Sequence, residues 1–205
     1  MSIPRQGADL HDGVYRTPLW FLKEVNTRWN IGFDLAADVE NNAVDRLWKA
    51  PIPRKSYFDL KDDALICDWG CQWKPNGELR LGFDGEQIDF AWLNPPFSKM
   101  RPWVKKAAES NCPVVMLFPN SPGAGWWNDF VDGKCLVLDL IGRLRFVGEV
   151  NVYPKDLALA VYGSGVVGRG KWDLRGLSGY TVNAMESRVE KNAVRDENME
   201  ILTGK

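Results

Sequence analysis

The sequence predicts an α/β fold: a mostly parallel sheet with an antiparallel edge and helices on both faces. Three observations carry that reading. Short apolar segments alternate with segments of helical periodicity through much of the chain. One continuous apolar run, "PVVMLFP", has the pattern of a strand covered on both faces. Three strand-like runs, "CLVLDLIG", "LRFVG" and "LALAVYG", then follow close together, which places antiparallel pairing at one end of the sheet. With 205 residues the chain is long enough for one domain with a substantial core.

Thr17 and Pro18 open the first helix, because Thr is a favoured N-cap and Pro suits the first helical position. Leu19, Leu22, Val25 and Trp29 recur at roughly helical spacing, and Asn30 and Gly32 supply a stop. "IGFDLAAD" is a short strand that runs into an acidic end, "ENNAVDRLW" a short helix and "APIPRKS" a loop. The stretch "LICDWGCQWKPNGELRLGFDGEQ", rich in Gly, Asp and Trp, reads as irregular or hairpin structure. "IDFAWL" is the next strand. Pro102 restarts a helix with Trp103, Val104, Ala107 and Ala108 on one face, ended by Asn111 and Pro113. "GAGWWNDFV" is a loop leading into a short helix. From about Trp172 the chain turns polar. The expected division is a flexible segment over 1–14, a globular domain over 15–171 and a polar extension over 172–205.

Basic and acidic residues balance at 26 against 27, so a polyanionic partner requires a local basic patch rather than a basic protein. Ten tryptophans serve either core packing or stacking on flat ligands. No run suits a membrane span or a signal peptide, and the expected location is the cytoplasm. Cys67, Cys71, Cys112 and Cys135 are expected as free thiols. Cys67 and Cys71 resemble half of a zinc site, but the single histidine, His11, does not complete one, and no metal is expected.

The segment that stands out is "WLNPPF", Trp92 to Phe97. Two prolines cannot continue a strand ladder, since neither has an N–H to donate. The turn is therefore either a plain strand stop with a buried Phe or a rigid presentation of functional groups. A residue before Pro is driven into extended geometry, so Asn94 and Pro95 are both held stiffly. The Asn94 side-chain oxygen and the Pro95 carbonyl then form a pair of acceptors with the Phe97 ring beside them. That constellation suits a planar group carrying NH2. Two acceptors on the hydrogens of a purine amine direct its lone pair toward an electrophile and stabilise the charge that develops as a methyl group arrives. No strong general base is needed.

"NPPF" after a strand resembles motif IV of the S-adenosylmethionine-dependent amino-methyltransferases. Together with "TPLWFL", "FDLAADVENN", "DDALICDWG", "WLNPPFSKMRPWVKKA", "VVMLFP", "WWNDF" and "GRLRF", it resembles the phage DNA N-6-adenine-methyltransferase family (Dam type) over roughly Thr17 to Gly163. The resemblance implies a Rossmann-like class I methyltransferase fold, S-adenosylmethionine as donor and an adenine in DNA as acceptor. It makes Asn94, Pro95, Pro96 and Phe97 the catalytic turn. It places Thr17 and Pro18 near the methionine end of the cofactor, Asp34 at its amino group directly or through water, Asp38 and Asn41 at the ribose or nearby polar atoms and Asp63 at the cofactor adenine, with a turn or helix cap as the plain alternative for each Asp. Lys99, Arg101, Arg143 and Arg145 are candidates for DNA backbone contacts, against solvated surface charge as the plain alternative. "DLAAD" lacks the glycines that many methyltransferases carry after the first strand, which shifts weight onto Asp34 and Asp38. RNA adenine, cytosine N4 and a protein glutamine are the alternative acceptors. A non-catalytic binding module on the same fold is the alternative class.

Overall fold

The structure, a computed structural model, describes residues 15–37, 42–48, 63–67, 69 and 90–181. His11, Asp38, Asn41, Cys71, most of the expected hairpin stretch and residues 182–205 lie outside the described residues.

Helix α1 (Leu19–Trp29) begins directly after Pro18, whose carbonyl accepts the Phe21 and Leu22 amide hydrogens at 3.1 Å. Thr17 does not cap it, because the first orphan N–H groups are met by Pro18 and the Thr17 hydroxyl turns elsewhere. The helix ends at Asn30, which adopts φ 43° as Asn tolerates better than most residues. The Asn26 side chain then accepts the Ile31 amide hydrogen at 2.7 Å, leading into strand β1 (Ile31–Asp34). Helix α2 (Ala43–Trp48) precedes strand β2 (Phe90–Leu93), and α3 (Met100–Glu109) leads to β3 (Val114–Pro119). After helix α4 (Gly125–Phe130) come β4 (Leu136–Ile141), β5 (Leu157–Tyr162) and β6 (Gly168–Asp173). No described helix is long and apolar enough to cross a membrane.

The six strands run in the order β1-β2-β3-β5-β4-β6. Pairs β1–β2, β2–β3 and β4–β6 are parallel, whereas β5 is antiparallel to both β3 and β4. The antiparallel strand is therefore internal, not at the edge as the sequence suggested. An all-apolar run such as "LALAVY" needs cover on both faces, which only a central position gives. The alternation in β3 divides the core. Val114, Met116 and Phe118 face α3 and α4, with Val104, Ala107 and Trp127. Val115 and Leu117 face α1, with Phe21, Leu22 and Val25. Helices thus cover both faces.

Two further expectations are corrected. "LRFVG" forms no strand: Leu144 and Phe146 are buried in alternation, but the backbone folds back on itself through Tyr153 N–H to the Leu144 carbonyl at 2.7 Å. The alternation reflects burial, not a ladder. Strand β6 was invisible in the sequence, because "GRGKWD" is an edge strand exposed along most of its length. It is held by parallel pairing to β4, by the buried Trp172 and by an Arg169–Asp139 ion pair at 2.9 Å. The chain stays packed beyond it. Leu174 is buried, and a β-carbon on Gly179 would fall 2.5 Å from the Trp20 Cβ.

Candidate functional site

Because β1, β2 and β3 are parallel, their carboxyl ends meet at one edge of the sheet. Antiparallel β5 begins at that same edge, with Leu157 opposite Pro119. The 142–156 loop between β4 and β5 therefore arrives beside the Asn94–Phe97 turn. In open α/β sheets this edge is where ligands bind.

The turn stands between two spaces. On one side is a narrow recess lined by Thr17, Asp34, Ala43, Arg46, Trp92 and Asn94. On the other is an open cleft of about 500 Å³, walled by Phe97, Lys99, Arg101, Trp126, Tyr153 and Lys155 among others. Asn94 belongs to the first and Phe97 to the second.

Asn94 Nδ2 donates to the Tyr15 backbone carbonyl at 2.5 Å and to Thr17 Oγ1 at 3.0 Å. Its Oδ1 is buried and accepts no hydrogen bond among the described residues. A buried acceptor left unmet costs about 1–3 kcal/mol, so it marks a place for a donor. Pro95 is buried and Pro96 half-buried, and the chain continues as a 3-10 turn, Phe97–Lys99.

Asp34 ends β1 and is buried. Its Oδ1 accepts the Ala36 amide hydrogen at 3.1 Å and its Oδ2 that of Ala43 at 2.9 Å, so it ties the chain after β1 to the start of α2. Arg46, one turn along α2, faces the same recess. Burial lowers its pKa most, attraction to Asp34 opposes that, and repulsion from Arg16 adds to it. The recess thus brings together a carboxylate and a guanidinium.

Phe97 is half-buried and packs in a cluster of four rings. Its centroid lies 5.6 Å from Tyr15, 6.1 Å from Phe146 and 5.4 Å from Tyr153. It is both a packed ring and a cleft wall, so stacking surface and core residue are not exclusive for it. Burial, with the neighbouring Tyr15 phenol second, pushes the Tyr153 phenol up to about 12.

Of the expected DNA contacts, Lys99 and Arg101 line the cleft. Arg101 also pairs with Asp129 at 2.8 Å and lies over the Phe130 ring. Arg143, 3.8 Å from Asp156, and Arg145 sit on the β4–β5 loop at the same edge but do not line the cleft. Asp63 is brought to neither space. It is exposed at φ 43° and its Oδ1 accepts the Leu65 amide hydrogen at 3.2 Å, because it makes the turn that seats Ala64–Cys67 on α3. Pro18 lies against α1, behind Thr17.

Sequence reasoning missed Tyr15, Arg46, Trp126, Tyr153 and Lys155. Arg46 was findable, one turn into the helix that follows Asp34. Tyr153 and Lys155 come from a loop more than fifty residues beyond the turn they face, and no local pattern carries that information.

A family model described as DNA N-6-adenine-methyltransferase (Dam) matches residues 6–156. No curated protein and no solved structure matches the chain.

Proposed function

The chain belongs to the DNA N-6-adenine-methyltransferase (Dam) family, and on that premise we propose that it transfers a methyl group from S-adenosylmethionine to the exocyclic amine of an adenine in DNA. The observation that carries this reading is the buried Asn94 Oδ1 at the end of β2, unmet among the described residues. An acceptor held there asks for an N–H, and the reacting amine has two to give.

The donor set of the recess fits the amino-acid end of the cofactor. We assign Asp34 to its ammonium and Arg46 to its carboxylate. Asp38 and Asn41 are assigned to the ribose. When bound, S-adenosylmethionine supplies a methyl group on a positively charged sulfur, an electrophile that needs no further activation. The protein's task is then to present the amine. Asn94 Oδ1 and the Pro95 carbonyl accept its two hydrogens and turn its lone pair out of conjugation. They stabilise the positive charge that grows on the nitrogen, more strongly for being buried. Phe97, fixed by its ring cluster, offers a flat wall to the base, and the rigid turn holds the approach geometry. Pro96, through its restricted φ, keeps that turn stiff.

We read the sheet as the Rossmann-like class I arrangement, with the turn at the carboxyl end of β2 between cofactor side and acceptor side. An adenine in a duplex must leave the stack to reach it. The cleft, with Lys99, Arg101 and Lys155 on its walls and Arg143 and Arg145 on the adjoining loop, is the route for the DNA strand.

The test is incubation of unmethylated DNA with labelled S-adenosylmethionine, followed by nucleoside analysis. Label in N6-methyladenine is the expected result. Label in N4-methylcytosine, or only in RNA or protein, replaces the acceptor. Cofactor-saturated, folded protein that transfers no label to any of them sinks the reading.

A further inference from the structure

The proposed reaction needs the Asn94 amide one way round, with oxygen toward the amine. Nothing in the rigidity of Asn-Pro-Pro decides that, because oxygen and nitrogen of an amide exchange places by a half-turn at little steric expense. The groups behind Asn94 do decide it. The Tyr15 backbone carbonyl can only accept, so it must face Nδ2, 2.5 Å away. Thr17 Oγ1, at 3.0 Å, takes the second hydrogen of the same nitrogen. Both amide hydrogens are then engaged, and the oxygen is left buried and unmet among the described residues.

We propose that Thr17, together with the Tyr15 carbonyl, is a positioning group that fixes the orientation of the Asn94 amide, so that the turn accepts a hydrogen-bond donor and rejects an acceptor. The inference rests on the methyl-transfer reading for its consequence in turnover, but not for the orientation itself.

The segment that carries the two acceptors is secured on both sides. Between them, the Arg16 carbonyl accepts the Val147 amide hydrogen at 2.9 Å from the β4–β5 loop. The Tyr15 ring is packed against Phe146 at 4.9 Å and Tyr153 at 5.2 Å. On the far side Pro18 starts α1. The orientation of Asn94 is thus set by a strap nearly eighty residues away in sequence. It also follows that a carboxylate does not substitute at position 94 in this chain. An aspartate would set an acceptor against the Tyr15 carbonyl.

The decisive variants are Thr17→Val, which keeps the shape and removes the acceptor, and Thr17→Ser, which restores it. Two readouts separate this inference from the reading beneath it. The first needs no turnover: hydrogen exchange of the Asn94 side-chain amide, followed by NMR in protein labelled with ¹⁵N-asparagine and assigned by its loss in Asn94→Ala. Both protons are expected to be protected in the wild type. One of them should exchange at least about ten-fold faster in Thr17→Val, and protection should return in Thr17→Ser. The second readout is methyl transfer. Thr17→Val should lower kcat on the order of ten-fold with the S-adenosylmethionine Kd unchanged, Thr17→Ser should recover it, and Asn94→Asp should fall toward Asn94→Ala.

Unchanged exchange in Thr17→Val overturns the inference, whatever the enzyme does. So does a Thr17→Val protein whose cofactor Kd rises while kcat holds, which would make Thr17 a cofactor contact instead. An Asn94→Asp protein as active as the wild type overturns it as well. Failure of the wild type to methylate any acceptor sinks the methyl-transfer reading and leaves the exchange result to stand or fall on its own.

Discussion

The two sides of the Asn94–Phe97 turn are built on opposite principles. Toward Asn94 the surroundings are closed and polar groups are fixed by specific partners: Asp34 by two backbone amides, Asn94 by Tyr15 and Thr17. Toward Phe97 the space is open, and its cations are long side chains at the surface. On the first side an atom out of place by an ångström ruins a reaction. On the second, the proposed reaction has a polymer enter, register and leave, and long charged side chains suffice for that. In the proposed reaction, placing both along one proline-stiffened turn lets a single element be exact toward the reacting atoms and permissive toward the strand.

The largest effect expected from this contrast is at Asn94. Asn94→Ala removes one preorganised acceptor and should lower kcat on the order of 10²–10³-fold. DNA and S-adenosylmethionine binding should move by only a few fold, as calorimetry and filter binding would show. Equal losses in binding and turnover would mean that the turn is a structural stop after all. Next in size is Arg46→Met, which removes the cation of the closed side. S-adenosylmethionine should bind on the order of ten-fold or more weakly, while DNA binding in the absence of cofactor stays within two-fold or so. A larger effect on DNA than on cofactor would dissolve the division between the two sides.

The closed side was also the more legible in sequence. Asp34 and Asn94 each end an apolar strand, and a polar residue at a strand's carboxyl end is a local pattern. The prolines announce their own rigidity. The open side is assembled from the 142–156 loop, the start of α4 and the turn after β2, and no short-range signal links these. "LRFVG" misled for a related reason. Alternate burial is read as a strand, although the same alternation arises where a loop packs Leu144 and Phe146 inward. β6 failed the other way: an edge strand with one partner and water on its far side needs no apolar alternation, so "GRGKWD" carries none. Thr17 illustrates how a sound local rule loses to a distant partner. It has the residue type and the position of an N-cap, yet its hydroxyl serves Asn94.

A smaller effect is expected from the cleft cations. Lys99 and Lys155 line the cleft with no ion-pair partner among the described residues. Arg101 is already paired with Asp129. If the lysines neutralise phosphates, Lys99→Ala and Lys155→Ala should each weaken DNA binding several-fold regardless of sequence. Each should reduce the slope of log K against log salt by about one. Arg101→Ala should change the slope less, because Arg101 is already engaged by Asp129 and has less charge to lend to a phosphate. A slope unaffected by either lysine would move the strand's path away from the cleft, toward Arg143 and Arg145.

The smallest effect lies where the two sides touch. Tyr153 walls the cleft yet is only 8% exposed, and its phenol is pushed up to about 12 by burial first and by Tyr15 second. The folded chain therefore keeps this proton at a pH where the unfolded chain, with an ordinary value near 10, has released it. Stability from this group is complete below about pH 10 and is lost as pH rises toward about 12. Tyr153→Phe has no phenol to ionise. Its melting temperature should fall less steeply than the wild type's through that alkaline window, and the offset between the two should be constant below it. Cys135, also pushed to about 12 by burial, is present in both proteins and sets a common background slope. Parallel curves across the whole range would show that Tyr153 is solvated like the rest of the cleft. The boundary between the closed and open sides would then run through the ring cluster itself, between Phe97 and Tyr153.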